Sequence, residues 1–368
     1  MGKRCYQLSR FATFVHELYP FNELRRLIIA EPDQNADSRR DELVSWLAQF
    51  EGLAGADPKP ASGDASFRRY FRVQRDEESF IVMDAPPPHE DCRPFVRIAG
   101  YLESMGLNCP SILGADFELG FVLMTDLGST MYLDVLDDDP DRATDLYIDA
   151  IDALLMLQEK GEAYQQQLPN YDYDVIAFEL SIFRDWLCGR HLGMDFSDDE
   201  EKQWQQCCEF LIDNSLQQKQ VFMHRDYHSR NLMLTSENNP GILDFQDAVE
   251  GPLTYDVVSL IKDCYIKWPV EQIQTWASQF YDRLNTELKD ELTAEDFIRH
   301  FDLMGVQRHL KAAGIFARLL HRDEKSGYID DIPRTLSYIS DVAPQYPELS
   351  MLAELIEDKI LPSLEIPE

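Results

Sequence analysis

No run of eighteen apolar residues occurs in the chain, so the sequence offers no stretch long enough for a membrane-spanning helix. The first thirty residues lack the uninterrupted apolar core of a secretory signal. Met1-Gly2 matches the start of a myristoylation signal, but Tyr6 stands where serine or threonine is required. Cysteine is sparse and unpatterned. There are seven, an odd number, spaced neither as a disulfide framework nor as a zinc site, and Cys207 and Cys208 are adjacent rather than two residues apart. Reduced thiols in a cytoplasmic protein are the expectation. Positive charge is scarce as well: 34 Lys+Arg stand against 67 Asp+Glu, a formal charge of −33. Such a surface repels nucleic acid and anionic lipid, which argues against either as a partner. It also repels nucleotides, so a nucleotide site here must be locally positive or must recruit a divalent cation. Most of the acids serve solvation. Internal repeats and low-complexity tracts are missing too.

What is present is an ordinary globular composition, 44% hydrophobic and 27% charged, in 368 residues. That length suits one bilobal unit or two domains. Residues 1–36, with Lys3, Arg4, Arg10, Arg25 and Arg26, read as an amino-terminal appendage with a possible helix over 21–29. Leu43, Trp46, Leu47 and Phe50 fall at i, i+3, i+4, i+7 and predict a helix over 42–50. Beyond a turn-rich stretch at 52–60 the period shortens, and 67–73, 79–83 and 121–124 read as strands, with a helix over 94–105 between them. From Arg142 the pattern is helical: 142–159, 175–191, 199–215, 254–267, 271–287, 293–321 and 345–358, interrupted by short apolar runs at 221–223, 232–234 and 242–243. A strand-rich first third before a helix-rich remainder predicts an α+β protein of two lobes, a smaller one over 37–126 and a larger one over 127–368.

The stretch that carries chemistry is His224-Arg225-Asp226-Tyr227-His228-Ser229-Arg230-Asn231-Leu232, followed by Asp244-Phe245-Gln246-Asp247. Phosphoryl transfer needs a carboxylate to orient an attacking hydroxyl and accept its proton, and oxygen ligands to hold magnesium against phosphates. Asp226 fits the first role. Asn231, five residues on, and Asp244, after a short apolar strand, fit the second. The arrangement matches the His-Arg-Asp…Asn and Asp-Phe-Gly signatures of protein kinases. Capping or salt-bridging carboxylates are the bland alternative. His224 reads as a support for the loop, Asp256 as a helix-start brace reaching back to it, and Asp247 as a carboxylate behind the metal ligands.

At these residues the sequence resembles the aminoglycoside phosphotransferase/choline kinase-like family. The likeness extends through Gly63–Arg72, Met83-Asp84-Ala85-Pro86-Pro87, Arg225–Leu232, Leu243–Ala248, Gly251–Leu260 and Gln307–Ala317. It is closer to the bacterial anomeric kinases of amino sugars, N-acetylmuramate and N-acetylglucosamine, that serve peptidoglycan recycling. The resemblance implies a bilobal protein-kinase-like fold, ATP with Mg2+, and transfer to a sugar's anomeric hydroxyl. It implies Asp226 as base, Asn231 and Asp244 as metal ligands, and Gly63 to Ser66 as the loop covering the phosphates. One departure stands out. Kinases carry a lysine on the third strand, and Ser79 to Ala85 contains none; Asp84 occupies its place. Arg68, Arg69 and Arg72 are the candidates to supply the charge, and strand alternation favours Arg69.

Only ten residues separate Asp244 from Tyr255. That is too short for the activation segment of a protein kinase, and no Ala-Pro-Glu anchor follows, so a small-molecule acceptor is preferred. Arg308, Lys311 and Arg318 fall within roughly 80° of each other on the 293–321 helix, a cationic stripe that can meet the lactyl carboxylate of N-acetylmuramate or pair with nearby acids. Two rivals stay open: a kinase of the same fold for an aminoglycoside, choline-like or amino-acid alcohol, and a pseudokinase binding module.

Overall fold

The computed structural model describes residues 34–63 and 67–364; the expected appendage helix at 21–29, nearly all of the 1–36 segment, and Ser66 lie outside them. The chain divides into two compact units, the first ending at Asp84 and the second beginning at Ala85.

In the first unit, helix α1 (Gln34–Leu47) buries Leu43, Trp46 and Leu47, three of the four residues that predicted it. It begins well before residue 42. Its opening turns carry no apolar stripe, so hydrophobic periodicity is silent there. Three antiparallel strands follow: β1 (Lys59–Gly63), β2 (Arg69–Arg75) and β3 (Glu78–Asp84). Gly63 stands opposite Arg69, and Arg69 opposite Asp84. Strand β1 was not expected, because Lys-Pro-Ala-Ser-Gly shows no alternation. It owes its conformation to pairing with β2, with an irregular register between Pro60 and Ser62 that suits a proline in a strand. Asp76, at φ 52°, turns β2 into β3.

The second unit opens with α2 (Arg93–Met105), whose stripe of Phe95, Ile98, Leu102 and Met105 is buried as predicted, and which stops at Gly106 in the left-handed region. A hairpin of β4 (Ile112–Asp116) and β5 (Phe121–Thr125) comes next. Its turn closes because Asp116 Oδ1 accepts from the amides of Glu118 and Leu119. Gly120 then sits at φ +74°, where a Cβ would lie 2.0 Å from the Ala85 carbonyl oxygen, so only glycine fits.

Helices α3 (Tyr132–Asp138), α4 (Ala143–Gly161) and α5 (Tyr173–Ile182) lead into a π-helical stretch, Phe183–His191. Helix α6 (Asp198–Gln217) starts at a capping box of Ser197 and Glu200. Two short ribbons then carry the interesting loops: β6 (Gln220–Met223) pairs with β9 (Val249–Pro252), and β7 (Leu232–Met233) pairs with β8 (Gly241–Ile242). The remaining helices are α7 (Tyr255–Ile261), α8 (Val270–Arg283), α9 (Thr286–Glu291), α10 (Ala294–Asp323), α11 (Ile332–Val342) and α12 (Ser350–Glu354), which runs on through a second π stretch, Leu355–Ile360, into α13 (Leu361–Leu364). Helix α10 packs against α5, the first π stretch, α6, α7 and α11.

Two helix expectations need correction, and one helix was not expected. The helix over 254–267 ends at Ile261, because the chain leaves it at Lys262 to send Asp263 to the loop around Ser229. The helix over 271–287 is two helices, broken where Asn285 caps α9. Helix α11 went unread although Ile332, Leu336 and Ile339 form a buried face.

Candidate active site

Strand β6 delivers the chain into a loop from His224 to Asn231 that neighbouring elements fix on every side. Asp256, in the first turn of α7, is fully buried and accepts from the amides of His224 at 2.6 Å and Arg225 at 2.9 Å. This is the brace the sequence suggested. Tyr227 donates to the Ala150 carbonyl of α4 at 2.8 Å. The Ser229 amide and hydroxyl donate to Asp263 at 3.0 and 2.5 Å. The Asp226 amide donates to His224 Nδ1 at 3.3 Å, so His224 supports the loop as expected.

Within that frame the three residues singled out from sequence come together. Asn231 Nδ2 donates to the Asp226 carbonyl at 2.9 Å and lies 3.4 Å from Asp244 Oδ2. Asp244 follows β8 with φ at 60°, and Arg225 takes φ 77°. Left-handed backbone at a non-glycine residue costs on the order of 1 kcal/mol, and both residues here flank the groups that would do chemistry. Gln246 donates from one nitrogen to Asp244 Oδ1 at 2.9 Å and to Asp247 Oδ2 at 3.0 Å. Asp247 therefore reaches Asp244 through Gln246. Phe245 is buried, its ring 4.7 Å from Phe95 of α2, and anchors the segment.

Of the charges beneath the loop, the sequence named Lys311 but not the acid it pairs with. Glu179 of α5, 3% exposed at its side chain, pairs with Arg225 at 2.5 Å and Lys311 at 2.8 Å, and also accepts from the Tyr171 hydroxyl. Lys311 donates further to the Tyr255 hydroxyl at 3.0 Å. The signal for Glu179 was there, a lone acid inside Val175-Ile176-Ala177-Phe178-Glu179-Leu180. Asp263 gave none, because it read as the interior of a helix.

Burial pushes the Asp226 carboxyl up, but the opposing pull of the cations around it, Lys311 first and then Arg225, is larger and leaves it below the ordinary value. Asp226 is thus ionised at neutral pH. Glu179 follows the same logic, with Lys311 and Arg225 overcoming burial. Burial drives His224 down to about 4, so it is neutral. Asp256 is raised to about 7 by burial, against two backbone amides that favour its charge.

Of the two fates the sequence left open for the cationic stripe of α10, pairing with an acid is the one Lys311 shows. Arg308 is buried, its Nη1 3.4 Å from the Cys264 sulfur, and Lys311 is engaged by Glu179. Both charges bear on Asp226.

In the first unit, Gly63 closes β1, while Arg69 gives Nε (3.0 Å) and Nη2 to Asp84. Arg39 of α1 holds the other carboxylate oxygen at 2.7 Å. Asp84 is 1% exposed between two guanidiniums. Where kinases carry a lysine on the third strand, this chain carries an acid held by two arginines. The Arg69 assignment is altered accordingly: much of its guanidinium serves Asp84.

Residues 57–293 match the phosphotransferase enzyme family. The chain belongs to that family. Its curated relatives include the N-acetylmuramate/N-acetylglucosamine kinases of Pseudomonas aeruginosa, 46% identical with 87% of this chain and 96% of the relative covered, and of Pseudomonas putida, 47% identical with 88% and 97% covered. A third, from Neisseria meningitidis, is 37% identical over 88% of this chain and 98% of the relative. Phosphotransferases of known structure share the fold. They include a Plasmodium vivax ethanolamine kinase (TM-score 0.58, 11% identity, 89% of this chain and 94% of that one) and the Streptococcus pneumoniae choline kinase (TM-score 0.57, 9% identity, 83% and 99%). The α+β, protein-kinase-like expectation is met, and the chain is a phosphotransferase enzyme.

Proposed function

We propose that this chain is an ATP- and Mg2+-dependent kinase for the anomeric hydroxyl of N-acetylmuramate and N-acetylglucosamine. The observation that carries a phosphoryl-transfer reading is Asn231, hydrogen-bonded to the backbone of Asp226 and within 3.4 Å of Asp244. The substrate class rests on relatives 46–47% identical over nearly their whole length.

The donor set fits magnesium. Asn231 commits its amide nitrogen and keeps its carbonyl oxygen to offer, and Asp244 supplies a carboxylate; one or two carboxylates plus substrate phosphates satisfy this ion. Among the described residues no cluster of three His, Cys, Asp or Glu could hold a metal, and a phosphate-assisted site needs none. When bound, the ion neutralises charge on the transferring phosphoryl group. Asp226, held ionised, orients the acceptor hydroxyl and takes its proton. Lys311 acts through Asp226, and Arg308 beside it, rather than on the sugar. Gly63 and Ser66 are assigned the role of covering the phosphates, and Arg69 of β2 that of supplying charge to them. A cytoplasmic location accords with ATP as phosphoryl donor, and among the described residues no helix is long and apolar enough to cross a membrane.

The test is a panel with ATP and Mg2+ of N-acetylmuramate, N-acetylglucosamine, glucose, choline and kanamycin. Turnover of both amino sugars is expected. Turnover of choline or kanamycin with neither amino sugar accepted would replace this reading with the cationic-alcohol one.

A further inference from the structure

The two proposed acceptors differ in one substituent: N-acetylmuramate carries a lactyl ether ending in a carboxylate, and N-acetylglucosamine a hydroxyl. Something near the catalytic loop must tolerate or read that charge in a protein of net charge −33. The cations closest to Asp226 are poorly placed to do it. Arg225 and Lys311 are both turned to Glu179, and Arg308 is only 6% exposed.

Arg230 is different. It lies in the loop itself, between the proposed base and the proposed metal ligand, on a backbone pinned by Ser229 to Asp263 and by the Asn231 amide to the His228 carbonyl at 2.9 Å. Its guanidinium sits 3.8 Å from the ring centroid of Tyr265 and 5.6 Å from that of Tyr328. Phe316 backs both rings at 6.2 and 5.8 Å. Among the described residues no carboxylate lies within 4.0 Å of Arg230. The acids that feel its charge are engaged: Asp331 pairs with Arg334 at 2.6 Å, and Asp263 accepts from Ser229 and from the Tyr265 amide at 3.0 Å. His228, edge-on to Tyr265 at 5.4 Å, is within electrostatic reach of both Asp226 and Arg230, so the cation and the base share one neighbourhood. Stacking on tyrosine fixes the plane of a guanidinium without cancelling its charge. A fixed, half-exposed, un-neutralised fork is the geometry that binds a carboxylate through two hydrogen bonds.

We propose that Arg230, held on Tyr265 and Tyr328, is the specificity-determining residue that reads the carboxylate of an acidic acceptor sugar. This rests on the amino-sugar kinase reading. Arg230 takes no part in the transfer; it contributes binding that only the acidic sugar can use, so its loss acts on KM for that sugar.

The experiment compares kcat and KM for N-acetylmuramate and N-acetylglucosamine in the full chain and in Arg230→Met and Arg230→Lys, with melting temperatures as the check on folding. Methionine keeps the contact with the rings and removes the charge. Arg230→Met should lower kcat/KM for N-acetylmuramate by about 10–100-fold, the worth of charge-assisted hydrogen bonds, through KM. The loss for N-acetylglucosamine should be far smaller, and Arg230→Lys should recover part of the selectivity. An equal loss for both sugars would place Arg230 on the nucleotide or in the fold and overturn the proposal, as would an unchanged ratio. Rejection of both sugars by the unaltered chain would overturn the amino-sugar reading as well, so the two failures are told apart.

Discussion

Asp226 owes its ionisation to its neighbours. An isolated buried aspartate would hold its proton, yet here Lys311 and the loop's own basic residues pull it below the ordinary value. Lys311 can do so because Glu179 keeps it charged in a buried position, and Tyr171 and Gln307 complete the set, with Gln307 donating to the Tyr171 hydroxyl at 2.6 Å. Removing the charge of Asp226 while preserving its shape isolates the chemical role. Asp226→Asn should lower kcat by about 10²–10⁴-fold and leave the nucleotide dissociation constant nearly unchanged, as titration calorimetry would read. Wild-type turnover in that variant would end the assignment of Asp226 as base.

Between elements, the close approach of α10 to the end of α5 is the contact that places Lys311 under the loop. Gly314 makes it possible: a Cβ there would lie 2.5 Å from the Phe183 nitrogen and 2.6 Å from the Ile182 carbonyl carbon. Those atoms are backbone and cannot swing aside, and they lie where α5 widens into its π stretch. Gly314→Ala should therefore destabilise the protein by about 1–3 kcal/mol in chemical denaturation. Gly100, within α2, is the contrast. Nothing lies within 4 Å of its Cβ position, and Gly100→Ala should stabilise by about 0.5–1 kcal/mol through helix propensity. A neutral Gly314→Ala would mean that the two helices are free to separate there.

At the scale of the molecule, buried histidines link stability to pH. His309 of α10 is fully buried, stacked on Tyr338 at 4.6 Å, with Nε2 2.8 Å from the Lys262 carbonyl. Burial and Arg308 drive it down to about 3. Between about pH 6.5 and that value the unfolded chain binds a proton that the folded one refuses, so this contribution is whole above 6.5 and is lost as pH falls. His309→Gln lacks the linkage. Its stability deficit relative to the unaltered chain should shrink by on the order of 3 kcal/mol between pH 7 and pH 4, measured by urea unfolding. A gap of constant size would show that His309 protonates in place.

Much of this was written in one dimension. Asp226, Asn231 and Asp244 were legible because a loop of fixed length between short strands brings local positions together, and the buried stripes of α1 and α2 were legible from their spacing. The roles of the supporting charges were not. Glu179, Asp263 and Lys311 gain their roles from helices that meet far apart in sequence, and a stripe on a helical wheel cannot say whether it faces an acceptor or a buried glutamate. The place of Asp84 was visible as a missing lysine, but only folding shows it gripped by Arg39 and Arg69. Local order, then, brought Asp226, Asn231 and Asp244 to one place. Which cations are spent on neighbouring acids was decided by packing, because burial and neutralisation are properties of three-dimensional surroundings.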